Sequence, residues 1–531
     1  MRLASLSAKV RQGIDWRLPA TAAILSATLL PIVWLVVSSR KGESLSEMLG
    51  MLHGPFLGAL RRSFILMTAV VAGSLALGWP GGTLMGLVQF PGRRVLLTSL
   101  AVPLFTPSFL WAIGLSSFRP FLAYRHQWWF DGFPGAFLTG VVQAFPLVVF
   151  ATLLVARILP ASLLEAAQLA GGFWVVFKAS SRFSLPASLG AAVLGGVLAL
   201  ADPGPAQIMG YHGIASEILI AFSARYDAGL AARKALLMAM VLLPVLSAIS
   251  WRVSLWSEAH LLGREMRKAR GRIEGTLPAV MVFGFVAVSL ALLSPALVGL
   301  TRPLRGTQTA EALQYGLTVL KQSAGTTLRY GFTAGVVATA LGVVLSLICG
   351  RSHPFRLTVL LFSFLVLSLP PSLHALGFAG MAAHLPKSFD WFMRGGSAVG
   401  IEFGLRLSPI AALFCLRAWS VMPESCHQVA ALHGVPAFQY LWKVALPQLA
   451  TVMAGSALLV ALISVADVSS TLLLLPPGAG TFTSRIFGVI DNASERMLSG
   501  LCVVYVLSGF ILVGFFSIVE ARWRRRLGGQ R

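Results

Sequence analysis

Charge is what this sequence has least of: 11% of its 531 residues are Asp, Glu, Lys or Arg, against roughly 25% in an average soluble domain. With 56% hydrophobic residues and a mean hydropathy of +0.79, that scarcity excludes a water-soluble globular chain. Long polar stretches are also missing. The longest gap between apolar runs, residues 202–234, is 33 residues, too short for a soluble catalytic domain. Any ATPase, kinase or binding module therefore belongs to another chain. The sequence has no Gly-x-x-x-x-Gly-Lys-Ser/Thr segment, so it cannot cradle nucleotide phosphates by the P-loop mechanism. Its four cysteines (Cys349, Cys415, Cys426, Cys502) show no paired spacing, which leaves neither a disulfide framework nor a zinc site. Histidines are dispersed; His374 lies in an apolar run and His427 beside Cys426, neither with a second ligand at metal spacing. Acids are outnumbered 19 to 42 by Lys and Arg, for a net charge of +23. The basic residues are scattered through short loops, so membrane topology and anionic lipid explain them and nucleic acid does not.

What the chain has in abundance is apolar runs of bilayer length. A span takes about 20 residues, and runs of that order fall near 18–39, 63–89, 96–116, 136–156, 187–201 and 235–251, then again near 277–300, 331–350, 357–383, 398–418, 450–475 and 501–519. The first run follows a basic start (Arg2, Lys9, Arg11, Arg17) but is 22 residues long, longer than a signal core of about 7–15, and reads as a retained span. The prediction is an all-α integral membrane protein of about twelve transmembrane helices in two parallel six-helix repeats, 1–256 and 277–531, joined by 257–276.

The repeat is visible in residues as well as hydropathy. Pro107-Ser108-Phe109-Leu110-Trp111-Ala112-Ile113-Gly114 matches Pro371-Ser372-Leu373-His374-Ala375-Leu376-Gly377 with one gap, and Ala201-Asp202 answers Ala466-Asp467. Arg and Lys concentrate in the joint (Arg252, Arg264, Arg267, Lys268, Arg270, Arg272) and in the C-terminal tail (Arg522, Arg524, Arg525, Arg526, Arg531). Positive-inside bias then places both termini and the joint in the cytoplasm.

Two cytoplasmic loops, 157–186 and 419–447, repeat one pattern. In the first, Leu159-Pro160 precedes Glu165-Ala166-Ala167, then Gly171, then Leu185-Pro186. In the second, Met422-Pro423 precedes Gln428-Val429-Ala430-Ala431, then Gly434, then Leu446-Pro447. Pro160 to Glu165 and Pro423 to Gln428 are both five residues; Glu165 to Gly171 and Gln428 to Gly434 are both six. Each reads as a short Ala-rich helix, a glycine where the chain turns, and a proline opening the next helix. Small residues there leave a surface that fits a partner's groove.

Inside the spans, Glu402 and Arg406 stand four residues apart and can pair on one helix face. They read as an ion pair that orients the helix. Asp202 and Asp467 occupy equivalent repeat positions with no adjacent cation in sequence, which places them near a central pathway. Capping of the segment that follows each aspartate is the other reading.

The loops resemble the EAA loop of the membrane subunits of ATP-binding cassette importers, carried by Glu165-Ala166-Ala167...Gly171...Leu185-Pro186 and by Gln428...Gly434...Val444-Ala445-Leu446-Pro447. The resemblance covers nearly the whole chain and implies a MetI-like permease fold, with one permease unit per half. It further implies coupling helices that dock on two ATP-binding cassette ATPase subunits, a solute-binding protein outside, alternating access, and an inner-membrane location. The chain itself would be no enzyme and hold no cofactor or metal; ATP would be bound by the partner subunits. The assigned coupling residues are Glu165, Ala166, Ala167, Gly171, Gln428, Ala430, Ala431 and Gly434, with Asp202 and Asp467 on the pathway. Gly171 to Pro186 is fifteen residues where Gly434 to Pro447 is thirteen, Gln428 replaces the usual glutamate, and the excess is expected among Phe177 to Phe183. Ala201-Asp202-Pro203-Gly204 with Ile208-Met209-Gly210, and Thr471 to Gly478 with Arg485-Ile486, resemble the fused permeases for iron(III), thiamine and aminoethylphosphonate. Iron(III) ranks first, although Pro203 stands where that group commonly has phenylalanine. The alternative is an ion-gradient-driven transporter of major facilitator type, but the loop Pro91-Gly92-Arg93-Arg94 lacks that class's acid.

Overall fold

A computed structural model describes residues 28–35, 37, 50, 54–225, 227–260, 275–306, 308–349, 353–367, 371–384, 386–389, 397–476, 478–490 and 492–528. Among them there are helices and connecting turns but no β-strand. In hydrocarbon every backbone N–H and C=O must find a partner within the chain, and a helix does this locally.

The helices of the first half are α1 (28–35), α2 (Pro55–Leu87), α3 (Arg93–Phe105), α4 (Ser108–Phe118), α5 (Gly132–Ala156), α6 (Ala161–Ala201), α7 (Pro203–Ile208), α8 (Ile214–Ser223) and α9 (Ala228–His260). The second half has α10 (Thr276–Thr301), α11 (Thr309–Cys349), α12 (His353–Leu367), α13 (Pro371–Ala383), α14 (Ser397–Val421), α15 (Glu424–Leu432), α16 (Ala437–Tyr440), α17 (Leu446–Ala466), α18 (Ser469–Leu474), α19 (Phe482–Val489) and α20 (Glu495–Gly528). A π-helical turn over Leu441–Ala445 makes α16 and α17 continuous.

Nine described helices are long and apolar enough to cross a membrane, ten if α3 and α4 form one broken span. The remaining two of the twelve expected spans, near 18–39 and 357–383, include residues outside the described set. The expected span 96–116 is broken: α3 and the helical run that α4 begins meet at 105°. Thr106 is extended (φ −113°, ψ 141°) because Pro107 bars the helical conformation from the residue before it. Ser108 thereby opens a new helix in mid-protein, a placement that hydropathy alone does not reveal.

Glycines set how closely the helices approach. Gly78, Gly82 and Gly86 line one face of α2 at four-residue spacing, and a Cβ on any of them would come within 2.7 Å of α5. The first helix of each half crosses to the other half. A Cβ on Gly114 of α4 would lie 2.3 Å from the Ala296 carbonyl of α10, and one on Gly377 of α13 would lie 1.9 Å from the Pro31 carbonyl of α1. Gly114 and Gly377 are the residues that the repeated motif aligns. In the same way Gly78 meets Val148, and Gly342, 264 residues later, meets Ala411. Backbone contact of this kind is how small residues join helices in lipid, where no hydrophobic drive exists between them.

Candidate functional site

Two regions hold the residues that the sequence singles out. The first is the pair of loops. Residues 161–170 of α6 form a short helix that ends where Gly171 (φ 178°, ψ 28°) and Gly172 (φ 68°, ψ −160°) break the helical path, and a long helix continues from Phe173. In the second loop α15 ends before Gly434 (φ 61°), and α16 begins the long helix. Both loops are thus a short helix, a left-handed glycine and a long helix. The first loop turns over Gly171 and Gly172 together: Gly172 has the positive φ, and a Cβ on Gly171, the residue that the matched spacing assigns, would lie 2.5 Å from Val175 Cγ2. From Gly172 to Pro186 is fourteen residues against thirteen from Gly434 to Pro447, so the mismatch shrinks to one. Phe177 to Phe183, expected to carry an insertion, are uninterrupted helix. At Gly172 and Gly434 an added Cβ would meet nothing within 4 Å; the constraint is the backbone conformation, which costs an L-residue roughly 1–2 kcal/mol.

Each short helix is held from beneath and bare above. Leu164 is buried and Ala167 packs beside it on the main core, while Glu165, Ala166 and Gly171 are exposed. Beneath the second loop Met422 is buried with Trp419, Ala445 and Leu449. Gln428 and Gly434 are exposed and Ala430 is half-buried; the Ala431 side chain lies outside the described set. The bare faces carry large apolar groups that the sequence reading did not single out. Leu169 is 90% exposed and Leu432 84%, with Leu163, Trp174, Val429, Phe438 and Trp442 also exposed. Phe438 and Trp442 meet edge to face at 6.1 Å. Leu169 and Leu432, on the short helices beside the glycine turns, suit a protein partner, whereas Phe438 and Trp442 fall within a helix long enough to cross the membrane.

The second region is the seam between the halves, where helix ends place Ser108, Asp202 and Asp467 and helix interiors place His374, Glu402 and Arg406. Asp202 ends α6; its carboxylate accepts from Gly204 N–H at 3.0 Å and from the Ser108 hydroxyl. Asp467 ends α17 and accepts from Ser470 N–H at 3.0 Å. Both aspartates therefore cap the segment that follows, as the capping reading expected. They differ in charge. The guanidinium of Arg406 donates to Asp467, which corrects the expectation that neither aspartate has a cation beside it: the partner is 61 residues away in sequence and the fold brings it in. Among the described residues Asp202 makes no ion pair.

Arg406 also faces Glu402, its Nε 3.7 Å from Oε1, and Glu402 Oε1 lies 2.8 Å from His374 Nδ1. His374 Nε2 lies 3.0 Å from the Thr28 carbonyl. A carbonyl only accepts, so Nε2 carries a proton; His374 and Glu402 then share another, as imidazolium with carboxylate or as imidazole with carboxylic acid. The expected Glu402–Arg406 pair exists, but as the middle of a four-residue network that joins α13, α14 and the end of α17 to α1. In the first half the positions 263 residues earlier are Thr139 and Gln143, which are neutral, so the repeat is not electrostatically symmetric.

A pocket opens at this seam. Phe109, Asp202, Pro203, Ile218 and Phe222 line it from the first half, and Ser372, Leu376, Val468, Leu472 and Phe487 from the second. The Pro-Ser motif repeated in the sequence thus starts a helix on each side of the pocket: Ser108 holds Asp202, and Ser372 lines the wall. Among the described residues no three His, Cys, Asp or Glu side chains are grouped as metal ligands.

Residues 342–525 match the family described as binding-protein-dependent transport system inner membrane component. That segment contains the second loop and the spans around it, and the match supports an inner-membrane permease of an ATP-binding cassette importer, a transport subunit and not an ATPase. Neither a curated protein nor a solved structure matches the chain.

Proposed function

We propose that the chain is the whole transmembrane permease of a binding-protein-dependent ATP-binding cassette importer, with both half-pores on one polypeptide. The observation that carries this is the duplicated loop, short helix, left-handed glycine and long helix at 161–201 and at 424–466, each copy presenting bare apolar side chains. The family match falls on the second copy, and the paired helix contacts at Gly114 and Gly377 support an equivalent first unit. Two partner ATPases would grip residues 161–170 and α15; their ATP-driven closure would rock the halves and open the seam outward, where a binding protein delivers solute. ATP would be held by those partners, and both termini would lie in the cytoplasm. The ion-gradient-driven alternative is not favoured by a match to the importer family. By resemblance the candidate solutes are iron(III), thiamine and aminoethylphosphonate.

The test is recovery of an ATP-binding cassette ATPase with the full-length chain from its native membrane, and ATP hydrolysis by that complex. Leu169→Glu and Leu432→Glu place charge on side chains that touch almost nothing in the chain itself, so insertion is expected to be unchanged. ATPase recovery is expected to fall at least tenfold in the double variant. Undiminished recovery and hydrolysis would remove the coupling role from both loops.

A further inference from the structure

Of the two aspartates at the seam, the fold neutralises one and leaves the other. Asp467 faces Arg406. Asp202, which lines the pocket, has among the described residues two neutral donors, Ser108 and Gly204 N–H. An ionised carboxylate can accept about four hydrogen bonds, so acceptor capacity remains for a group that enters the pocket. The rest of the wall is unsuited to a highly charged ion. Apart from Asp202, its polar side chain is the hydroxyl of Ser372, and the remainder is aliphatic or aromatic, with Phe109, Phe222 and Phe487 among the lining residues. Phe109 and Phe487 meet edge to face at 5.6 Å, one from each half. A trivalent metal ion stripped of water needs several anionic or oxygen ligands, and no such group of three exists among the described residues. One negative charge beside apolar and aromatic walls instead matches a single positive charge that carries carbon substituents, since ring faces attract soft, weakly hydrated cations.

We infer that the seam pocket is the transit site for a small organic monocation of the substituted-ammonium class, with Asp202 as its counter-charge. The inference rests on the permease reading and narrows its solute: among the candidates it disfavours a bare iron(III) ion. Asp467 takes no part in charge recognition, because Arg406 already neutralises it, and it serves to hold α14 to the end of α17. The two halves thus contribute unequally, Asp202 supplying charge and Ser372 with Val468 and Leu472 supplying the opposite wall.

Binding to the full-length chain in detergent tests this without partner proteins. Choline is the probe of class, 3,3-dimethylbutan-1-ol its uncharged isostere of the same shape, and ferric citrate the metal probe. Choline is expected to bind the native chain at least tenfold more tightly than the neutral isostere, and Asp202→Asn, which keeps the acceptor for Gly204 N–H, is expected to lose that tenfold preference. Asp467→Asn is expected to leave it within threefold. Equal affinity for choline and its isostere on the native chain, or saturable iron binding that exceeds choline binding and depends on Asp202, would overturn the inference; the native-chain comparison stands even if the Asn variant does not fold. Failure of the permease reading is seen separately, as absence of an associated ATPase.

Discussion

Removing Arg406 is the perturbation whose outcome the geometry fixes most sharply. Its side chain is 9% exposed, that of Glu402 0% and that of Asp467 12%, so the three charges sit where solvent screens them little. Arg406→Leu strips the cation from two carboxylates at once. Breaking a buried pair by deleting one partner costs about 3–5 kcal/mol, mostly from the charge left behind, and that is the loss of stability expected here. Asp467→Asn is milder. Arg406 keeps Glu402 at 3.7 Å, and asparagine still accepts from Ser470 N–H as a cap, so about 1–2 kcal/mol is expected. In the Arg406→Leu, Asp467→Asn double variant the loss of Arg406 leaves no carboxylate bare at position 467, and Glu402 retains His374 at 2.8 Å. The double variant should therefore be destabilised by at least about 2 kcal/mol less than the sum of the single effects, well beyond the roughly 0.5 kcal/mol within which independent sites add. Denaturant unfolding of the full-length chain in a fixed detergent reads all three differences. Additive losses would refute the argument, because they would mean that Arg406 and Asp467 do not depend on each other for charge compensation.

Two other expectations follow from the helix crossings and the charge pattern. Gly114→Leu and Gly377→Leu drive side chains into the carbonyls of Ala296 and Pro31, backbone atoms that cannot rotate away, so each should lower the thermal midpoint of the purified chain by the equivalent of about 1–3 kcal/mol or more. Gly455→Leu, where an added Cβ meets nothing within 4 Å, is the control and should be neutral; tolerance at Gly377 would sink the crossed-helix arrangement. For orientation, Lys268→Cys and Arg526→Cys should stay unlabelled by an impermeant maleimide in sealed, right-side-out vesicles and react once the membrane is opened. Labelling at either site from outside would reverse the topology.

Much of the architecture was legible because two strong signals are local. Hydropathy over bilayer-length windows marks helices wherever the backbone must satisfy itself in lipid, and nine of the expected spans have a described helix that qualifies on its own, with a tenth as the broken pair α3 and α4. Span lengths were legible only in part. The windows near 187–201 and 331–350 captured only the apolar ends of the long helix that runs from Phe173 to Ala201 and of the 41-residue α11, because their remaining turns carry polar residues that a hydropathy window discounts. The repeated loops could also be read, since glycine and proline act on their own neighbours. That the first turn takes in Gly172 as well as Gly171 was not legible, because two adjacent glycines look alike in sequence and only backbone torsion tells them apart.

Composition, period and punctuation by themselves determined that this chain is a helical membrane protein, that its halves echo each other, and that its loops turn at glycines; each of these depends on interactions among residues close in sequence or on transfer from water to lipid. Tertiary structure alone decided which charges meet. Arg406 reaches Asp467 across 61 residues and His374 reaches the Thr28 carbonyl across 346, while Asp202 has no cation partner among the described residues. No local pattern encodes those distances, because they are set by where α1 crosses to α13 and where α6 and α17 end. The consequence is physical: in a low-dielectric seam a charge is expensive or neutral according to its neighbours in space, so two aspartates that are equivalent in sequence become one structural cap with its charge compensated and one carboxylate open to the pocket.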